Sequence, residues 1–202
     1  MNAPDTKAKA FDAPAFFRSA ADAMGGLARA YAPTAYKPIE RAANLIVERV
    51  TGRLICAGMG KSGQIAKKAV QTFSCTGTPA MFVHPAEGAH GDLGMLIAGD
   101  GLLLLSKSGK TQEIFPLIQR ALELDAPIIL VSENTHDGAH THSTVTLDFP
   151  HMDEAWGKLP TISTLMQLAL IDALAIQTAE LRGFTTQDYL KLHPGGSIGR
   201  AA

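Results

Sequence analysis

The sequence predicts an α/β fold: a three-layer, doubly wound (flavodoxin-like) sandwich with a five-stranded parallel sheet and an N-terminal helical extension. From residue 53 onward, apolar runs of four to six residues alternate with stretches of helical length. Such continuous apolar runs are typical of parallel strands that are buried on both faces. Because crossovers between parallel strands are right-handed, few topologies remain, and the doubly wound sandwich is the most economical of them.

Residues 1–50 are predicted to form the helical extension, and residues 51–202 to form one domain. Apolar side chains recur at helical spacing from Phe16 to Met24, and Gly25-Gly26 is expected to interrupt that helix. A second amphipathic run opens at Pro38, and Gly52 occupies the position where a C-terminal helix cap is expected.

The remaining elements follow from the alternation of apolar and amphipathic runs. Strands are predicted at residues 53–57, 80–83, 102–105, 127–132 and 144–149. Helices are predicted at residues 62–76, 111–124, 161–182 and 185–192. In such sheets, ligands bind beyond the carboxyl ends of the strands where the strand order reverses, so the segments that follow the strands are the candidate site.

Composition excludes several classes of function. The chain has 18 Lys and Arg against 19 Asp and Glu, a net charge of −1, so it lacks the basic excess of nucleic-acid-binding proteins. No apolar run reaches the roughly 18 to 20 residues of a membrane helix, and the N-terminal residues do not form a secretory signal. The two cysteines are too few for a disulfide framework. We therefore expect a soluble cytoplasmic protein that binds neither nucleic acid nor membrane.

A glycine-rich turn follows the first strand. The segment from Gly58 to Gly63 matches the GxGxxG pattern of dinucleotide-binding proteins, but the next strand ends in Val83-His84, without an acidic residue for a ribose. The phosphate-binding P-loop is also disfavoured, because its opening glycine would fall on Ile55. Either the turn binds an anion, with Lys61 adding charge, or its glycines only allow close packing.

The segment after the third strand is rich in hydroxyl groups and lysines. It carries Ser106, Lys107, Ser108, Gly109, Lys110 and Thr111. Hydroxyl and N–H donors together with cations suit a phosphate monoester, whereas the simpler interpretation is a polar loop with a capping serine. Glu113, about one turn further, is either a base that removes a proton next to a carbonyl or a favourable charge near a helix start.

Histidines and carboxylates stand at three further places. His84 and His90 flank Glu87 after the second strand, and could bind a metal or transfer protons. Their spacing does not identify a zinc site, so no metal is predicted. Glu154 and Trp156 precede the long helix, and His193 precedes Pro-Gly-Gly; a charged loop and a turn are the simpler interpretations of these two segments.

Taken together, these segments resemble the sugar isomerase (SIS) domain, and within it the arabinose 5-phosphate isomerases of the lipopolysaccharide pathway. The matching stretches are residues 58–68 (GMGKSGQIAKK), 76–96 (TGTPAMFVHPAEGAHGDLGML), 106–114 (SKSGKTQEI) and 193–200 (HPGGSIGR). The pattern HPAE-x-AHGDLGM is much more specific than the glycine patterns. The resemblance covers about residues 50 to 200.

The resemblance implies an aldose–ketose isomerisation of a phosphosugar without a cofactor. The positions that it implies for catalysis are Lys61, Glu113, Glu154 and His193. The positions that it and the loop chemistry imply for substrate binding are Ser62, Gly77, Thr78, His84, His90, Ser106, Ser108, Gly109 and Thr111. His84 also matches a position where zinc can bind in the family. Family members are oligomers in which a histidine reaches a neighbouring subunit's site, so a homo-oligomer, dimer or tetramer, with shared sites is expected.

The implied reaction interconverts D-arabinose 5-phosphate and D-ribulose 5-phosphate through a cis-enediol. In that mechanism residues 106–111 hold the phosphate and Lys61 stabilises the developing oxyanion. His90 or His193 moves the proton between O1 and O2. The expected base that moves the proton between C1 and C2 is Glu113, and the sequence leaves one of the histidines open as the alternative.

Departures from the family pattern keep other functions open. The isomerases usually have SNSGES where this chain has SKSGKT, and the loop at 154–164 is two residues shorter and carries Trp156. Since that loop is placed where substrate length would be sensed, the alternatives are an isomerase of another short phosphosugar or a non-catalytic, phosphosugar-binding regulatory module. Many members carry a pair of CBS regulatory modules after HPGG; this chain stops there, so we expect a short form or a truncated piece.

Overall fold

A computed structural model describes residues 11–32 and 37–195 of the chain. Its helices and strands, in chain order, are α1 (Ala13–Ala30), α2 (Pro38–Arg49), β1 (Leu54–Gly58), α3 (Gly60–Cys75), β2 (Ala80–Val83), α4 (Pro85–Gly88), β3 (Gly101–Leu105), α5 (Phe115–Glu123), β4 (Ile128–Ser132), β5 (Val145–Asp148), α6 (Ile162–Leu181) and α7 (Thr186–Leu192). Short 3₁₀ turns lie at Asp92–Met95, Gln112–Ile114 and Gly138–His142.

The five strands form one parallel sheet in the order β2-β1-β3-β4-β5. Each strand lies within two residues of its predicted position, so the predicted fold class is confirmed. In this order the chain first runs outward from β1 to β2 and then continues on the other side of β1, with β3. The crevice above the carboxyl ends of β1 and β3 is therefore the switch point at which doubly wound proteins bind ligands.

The sheet is buried on both faces, which explains the continuous apolar runs. Every residue of β1, β3 and β4 is buried. Alternate side chains enter two separate cores: Leu54 and Leu103 pack with α2, α3 and α6 on one face, whereas Ile55 and Leu102 pack with α5 on the other. The three layers follow directly from this division.

Helix α6 is apolar on nearly all sides and packs against three other helices. Of the described helices it alone is long and apolar enough, by length and composition, to cross a membrane. However, 56% of that stretch is buried, and the helix packs against α1, α2 and α3. A helix that is covered over more than half of its apolar stretch by other helices needs little polar surface, which accounts for its composition.

Two glycine assignments made from the sequence are wrong. Helix α1 runs through Gly25-Gly26 to Ala30, and a side chain at Gly26 would lie 3.3 Å from Pro150, so this glycine serves a close approach. The C-cap of α2 is Val50, whereas a Cβ at Gly52 would lie 2.5 Å from a carboxylate oxygen of Asp100. A glycine can cap a helix or allow another part of the chain to approach closely. At these two positions close tertiary contacts, and not helix ends, explain the glycine.

The helix predicted from Thr111 begins later. Thr111 is extended, with φ of −61° and ψ of 119°, and is followed by the 3₁₀ turn Gln112–Ile114; α5 starts only at Phe115. The hydroxyl-rich segment is therefore a loop over its full length, and a separate turn links it to α5.

Candidate active site

A glycine turn joins β1 to α3 at the carboxyl edge of the sheet. Gly60 has a positive φ of 55°, and a Cβ on Gly63 would lie 2.6 Å from the carbonyl oxygen of Gly58. The glycines thus allow α3 to approach β1 closely. No described side chain caps the first turn of α3, so its N–H groups remain available to an anion. Lys61 is exposed in that turn, and Ser62 lines the crevice.

We expect the Gly63→Ala protein to be less stable by about 1–3 kcal/mol, because its new methyl group meets the backbone of β1 and neither element can move freely. Gly94→Ala is the matched control, since a Cβ there has open space and no positive φ. Urea unfolding of both variants measures the difference. Equal stability of the two would contradict the close approach of α3 to β1.

The loop from Ser106 to Thr111 curls around the Ser106 hydroxyl. Ser106 Oγ accepts a hydrogen bond from the N–H of Gly109 at 3.2 Å and lies 3.3 Å from Thr111 Oγ1. Gly109 has a positive φ of 66°, which a glycine adopts without cost. Ser108 is exposed, and its Oγ accepts from the N–H of Lys110 at 3.2 Å. The hydroxyl groups of the loop are thereby gathered at one place.

The segment after β4 braces this loop. Ser132 Oγ donates to the carbonyl of Lys107 at 3.0 Å, and Asn134 Nδ2 donates to the carbonyl of Ser108 at 2.9 Å. The N–H of Ala139 donates to the carbonyl of Gly109 at 2.8 Å. These bonds hold the backbone of the hydroxyl loop in one conformation before any ligand arrives.

A cavity of about 310 Å³ lies between the glycine turn and the hydroxyl loop. It is lined by Met59, Ser62, Leu105, Ser106, Lys107, Ser108, Thr111 and Glu133. The cavity stands at the switch point between β1 and β3, where the topology places a ligand. Its hydroxyl and N–H donors suit the oxygens of a phosphate group.

The two lysines of the hydroxyl loop are paired with carboxylates. Lys107 Nζ lies 2.8 Å from Glu154 Oε1 and 3.9 Å from Glu133 Oε2. Lys110 Nζ lies 2.9 Å from Asp137 Oδ2. The positive charge that the sequence places at this loop is therefore already balanced within the chain, whereas Lys61 has no ion pair among the described residues.

The Glu154 carboxylate caps α6 and is only 6% exposed. Besides Lys107, its donors are the N–H groups of Thr161, Ile162 and Ser163 and the hydroxyls of Thr161 and Ser163. Burial alone raises the pKa of this carboxyl, but the hydrogen bonds from Lys107, Ser163 and the α6 backbone outweigh it and lower the pKa to about 2. Glu154 is therefore ionised at any physiological pH, with its oxygens fully occupied.

Glu113 has a different environment. It lies exposed in the turn Gln112–Ile114, directly after the hydroxyl loop, and no hydrogen bond or ion pair involves its carboxylate among the described residues. That turn packs against α4, which begins directly after His84. His84 is half-buried and its Nδ1 is buried without a described partner, whereas His90 is exposed beyond α4. The structure thus brings Glu113 and the segment from His84 to His90 to one side of the crevice.

Three predicted site residues, Gly77, Thr78 and His193, do not line the cavity within one chain. Gly77 and Thr78 precede β2 at the amino edge of the sheet, the edge opposite to the crevice. Gly77 has a φ of 86° and faces the ring of Phe184, and Thr78 is buried with no described partner for its hydroxyl. His193 ends α7; its Nδ1 lies 2.8 Å from the carbonyl oxygen of Tyr189, and its ring stacks on that tyrosine at 4.0 Å. Residues 196–200 of the HPGG stretch lie outside the described residues.

The structure adds Glu133 to the residues of the site. Glu133 directly follows β4 and lines the cavity; its position at the carboxyl end of a strand was the signal that could have revealed it.

Within residues 11–32 and 37–195, no group of three or more His, Cys, Asp or Glu side chains is arranged to hold a metal ion, and His84 has no partner ligand there.

Comparisons with known protein families, curated sequences and solved structures found related proteins. The SIS domain family matches residues 49–177. The arabinose 5-phosphate isomerase KdsD of Francisella tularensis is 43% identical over 166 residues, which are 80% of this chain and 50% of that protein. A solved structure from Bacteroides fragilis superposes with a TM-score of 0.77 at 38% identity, covering 89% of this chain and 98% of that one. An E. coli CFT073 protein in complex with arabinose 5-phosphate superposes with a TM-score of 0.72 at 32% identity, covering 91% and 100%.

The chain spans about half the length of the curated relatives that it matches, 50% of one and 46% of another. The match lies on the segment that contains the sheet and the crevice.

Proposed function

Because the chain belongs to the SIS domain family, we propose that it is a phosphosugar aldose–ketose isomerase. Interconversion of D-arabinose 5-phosphate and D-ribulose 5-phosphate is the first candidate reaction. The observation that carries this proposal is the hydroxyl-lined cavity at the switch point, followed directly by Glu113, whose carboxylate has no partner among the residues that the structure describes. The name of the F. tularensis relative and the arabinose 5-phosphate held by the E. coli CFT073 protein support the choice of substrate.

The phosphate group occupies the cavity in this proposal. Its oxygens accept hydrogen bonds from Ser106, Ser108 and Thr111, which the braced loop gathers at one end of the crevice. Ser62 and the uncapped N–H groups of α3 complete the donor set. The sugar then extends toward Glu113 and the segment that begins at His84, because the turn of Glu113 packs against α4.

Glu113 is the carbon base of the proposed reaction. Its carboxylate removes the proton from C2 of the aldose, and the carbonyl oxygen O1 gains a proton as the enediol forms. The proton is then delivered to C1, while O2 loses its proton and becomes the ketose carbonyl. Lys61 stabilises the oxyanion, and His90 or His193 carries the proton between the two oxygens. No redox cofactor takes part, since the electrons move only between C1 and C2.

Glu154 acts as a positioning residue in this scheme. Its carboxylate is ionised and already accepts six hydrogen bonds, so it holds Lys107 and the start of α6 in place rather than exchanging a proton.

A panel of pentose, tetrose and hexose phosphates, followed by NMR in deuterated water, tests the proposed function. Turnover of arabinose 5-phosphate with deuterium entering C1 or C2 would support the enediol route. Trp156, 72% exposed in a tight turn two residues after Glu154, favours a second candidate, an isomerase of another short phosphosugar. Turnover of a different sugar phosphate would select that candidate, and binding of every sugar phosphate without turnover would favour a regulatory module.

We further propose that the site is shared between subunits of a cytoplasmic homo-oligomer. The amino-edge positions of Gly77 and Thr78, and the absence of His193 from the lining of the described cavity, support this arrangement. Mixed oligomers of Glu113→Gln and His193→Ala chains are therefore expected to regain activity that neither variant has alone, because some sites receive both native residues. Activity is measured after co-expression, with each variant expressed alone as the control. Mixtures that stay inactive would contradict the shared site.

A further inference from the structure

We propose that Lys107 and Glu133 form a compensated charge pair that sets the phosphate affinity of the crevice, with Glu154 holding the lysine in place. The inference rests on the proposed function, since it concerns the phosphate group bound at that same site. Both side chains line the cavity together with the hydroxyl groups of Ser106 and Ser108. An anion bound to those hydroxyls therefore lies beside one cation and one carboxylate.

The backbone and the ammonium group of Lys107 are both fixed. Its carbonyl accepts hydrogen bonds from the N–H of Glu133 at 3.1 Å and from Ser132 Oγ at 3.0 Å. Its Nζ donates to Glu154 Oε1 at 2.8 Å, while the 3.9 Å to Glu133 Oε2 is an ion-pair distance too long for a hydrogen bond. An ammonium carries three N–H donors, so donors remain for a ligand in the cavity.

The two carboxylates beside Lys107 are not equivalent. Glu154 is enclosed by the hydrogen-bond donors at the start of α6, which offset its charge. Glu133 has fewer partners: apart from Lys107, its side chain is joined to the exposed ring of His151, at 3.3 Å. The charge of Glu133 is therefore the one that repels an incoming phosphate, and Lys107 is the cation that offsets it.

Removal of Lys107 thus has two effects on phosphate binding. The cavity loses a charge-assisted donor, and the carboxylate of Glu133 becomes uncompensated beside the anion. Removal of the Glu133 charge has the opposite effect, because Lys107 then acts on the phosphate alone. This reciprocity distinguishes a charge pair that tunes affinity from a salt bridge that only joins two loops.

Inorganic phosphate is the probe for the test. Its binding to the full chain is followed by calorimetry and by the fluorescence of Trp156, the sole tryptophan, two residues beyond Glu154. We expect Lys107→Asn to weaken phosphate binding about ten- to a hundredfold, and Glu133→Gln to tighten it about three- to tenfold. The double variant is expected to recover most of the affinity lost in Lys107→Asn.

Two matched control variants each remove one charge, a cation or a carboxylate, at a position outside the crevice. Arg49→Gln removes a cation that also pairs with a carboxylate, that of Asp125 at 2.7 Å, and Glu123→Gln removes an exposed carboxylate at the end of α5. Both lie at the amino edge of the sheet, and neither should change phosphate affinity. Urea unfolding of all variants shows whether a lost affinity reflects a lost fold.

The outcomes separate this proposal from the proposed function. If Glu133→Gln does not tighten phosphate binding, or the double variant binds no better than Lys107→Asn, the charge pair is refuted while isomerase activity of the native chain stands. If the native chain does not bind phosphate, the charge pair is refuted as well. The expected order of affinities without turnover of any sugar phosphate would support the charge pair and refute the isomerase.

Discussion

The Glu113→Gln protein is expected to isomerise its phosphosugar about 10²–10⁴-fold more slowly than the native chain, with little change in phosphate affinity. Glutamine keeps the shape of the side chain but cannot accept the carbon-bound proton. Because Glu113 is exposed and has no described partner, its replacement should not disturb the fold. The loss should therefore fall on kcat rather than on KM.

Turnover and deuterium incorporation at C1 and C2 are measured by NMR on the same samples. Turnover and deuterium incorporation should fall together in the Glu113→Gln protein. The control is Glu123→Gln, which removes an exposed carboxylate at the far end of α5 and should behave like the native chain. Undiminished activity in Glu113→Gln would transfer the role of carbon base to a histidine. Calorimetry with inorganic phosphate completes the test, since lost binding would show that Glu113 supports the site rather than the chemistry.

The Glu154→Gln protein is expected to be less stable by about 3 kcal/mol at neutral pH. The pKa of this carboxyl falls from its ordinary value of 4.5 to about 2 in the folded chain. Each unit corresponds to about 1.4 kcal/mol, so the ionised carboxylate stabilises the fold by about 3 kcal/mol. Loss of the acceptor for Lys107 and for the first turn of α6 is the physical cause.

The same shift fixes the pH dependence. Because the pKa is lower in the folded than in the unfolded chain, the stabilisation is complete above pH 4.5 and is lost as the pH falls from 4.5 toward about 2. Urea unfolding of the native chain and of Glu154→Gln at several pH values in this range should show the two stabilities converging.

Asp188→Asn is the control for the pH series. The hydroxyl of Thr185 and the ammonium of Lys191 lower the pKa of Asp188 to about 2, yet its side chain is 38% exposed and belongs to the cap of the short helix α7. Solvent screens such a site, so its loss should cost much less. If the native chain and Glu154→Gln still differed by the same free energy of unfolding near pH 2, the claim that the ionised Glu154 carboxylate stabilises α6 would be contradicted.

Local sequence patterns determine the sheet, and therefore the sheet could be predicted. The runs around Leu54, Leu103 and Ile129 are continuous because both faces of the sheet are covered, and that property is visible in the sequence alone. The late start of α5 was not visible, because the conformation of the hydroxyl loop depends on Ser132 and Asn134, more than twenty residues further on.

The candidate site was predictable in its hydroxyl groups but not in its charges. Ser106 and Thr111 are recognisable because they follow a strand, whereas the partner of Lys107 stands 47 residues away, before α6. Glu133, like the serines, directly follows a strand, which the sequence shows. Its role in the site could be inferred only from its ion pair with Lys107, which the structure shows. The positions of His193 and Gly77 relative to the crevice could not be predicted from local sequence patterns. They depend on the topology of the sheet and on tertiary contacts.

The cap of α6 by Glu154 has a consequence for how this site can change over generations. A single carboxylate supports both the central helix of the fold and the rim of the crevice. Lineages that alter ligand preference through Glu154 must first accumulate surplus stability elsewhere, because most proteins remain only slightly above the threshold for folding. Glu133 neither caps α6 nor pairs with Glu154, so it is free of that constraint, and drift toward new substrates should pass through it first.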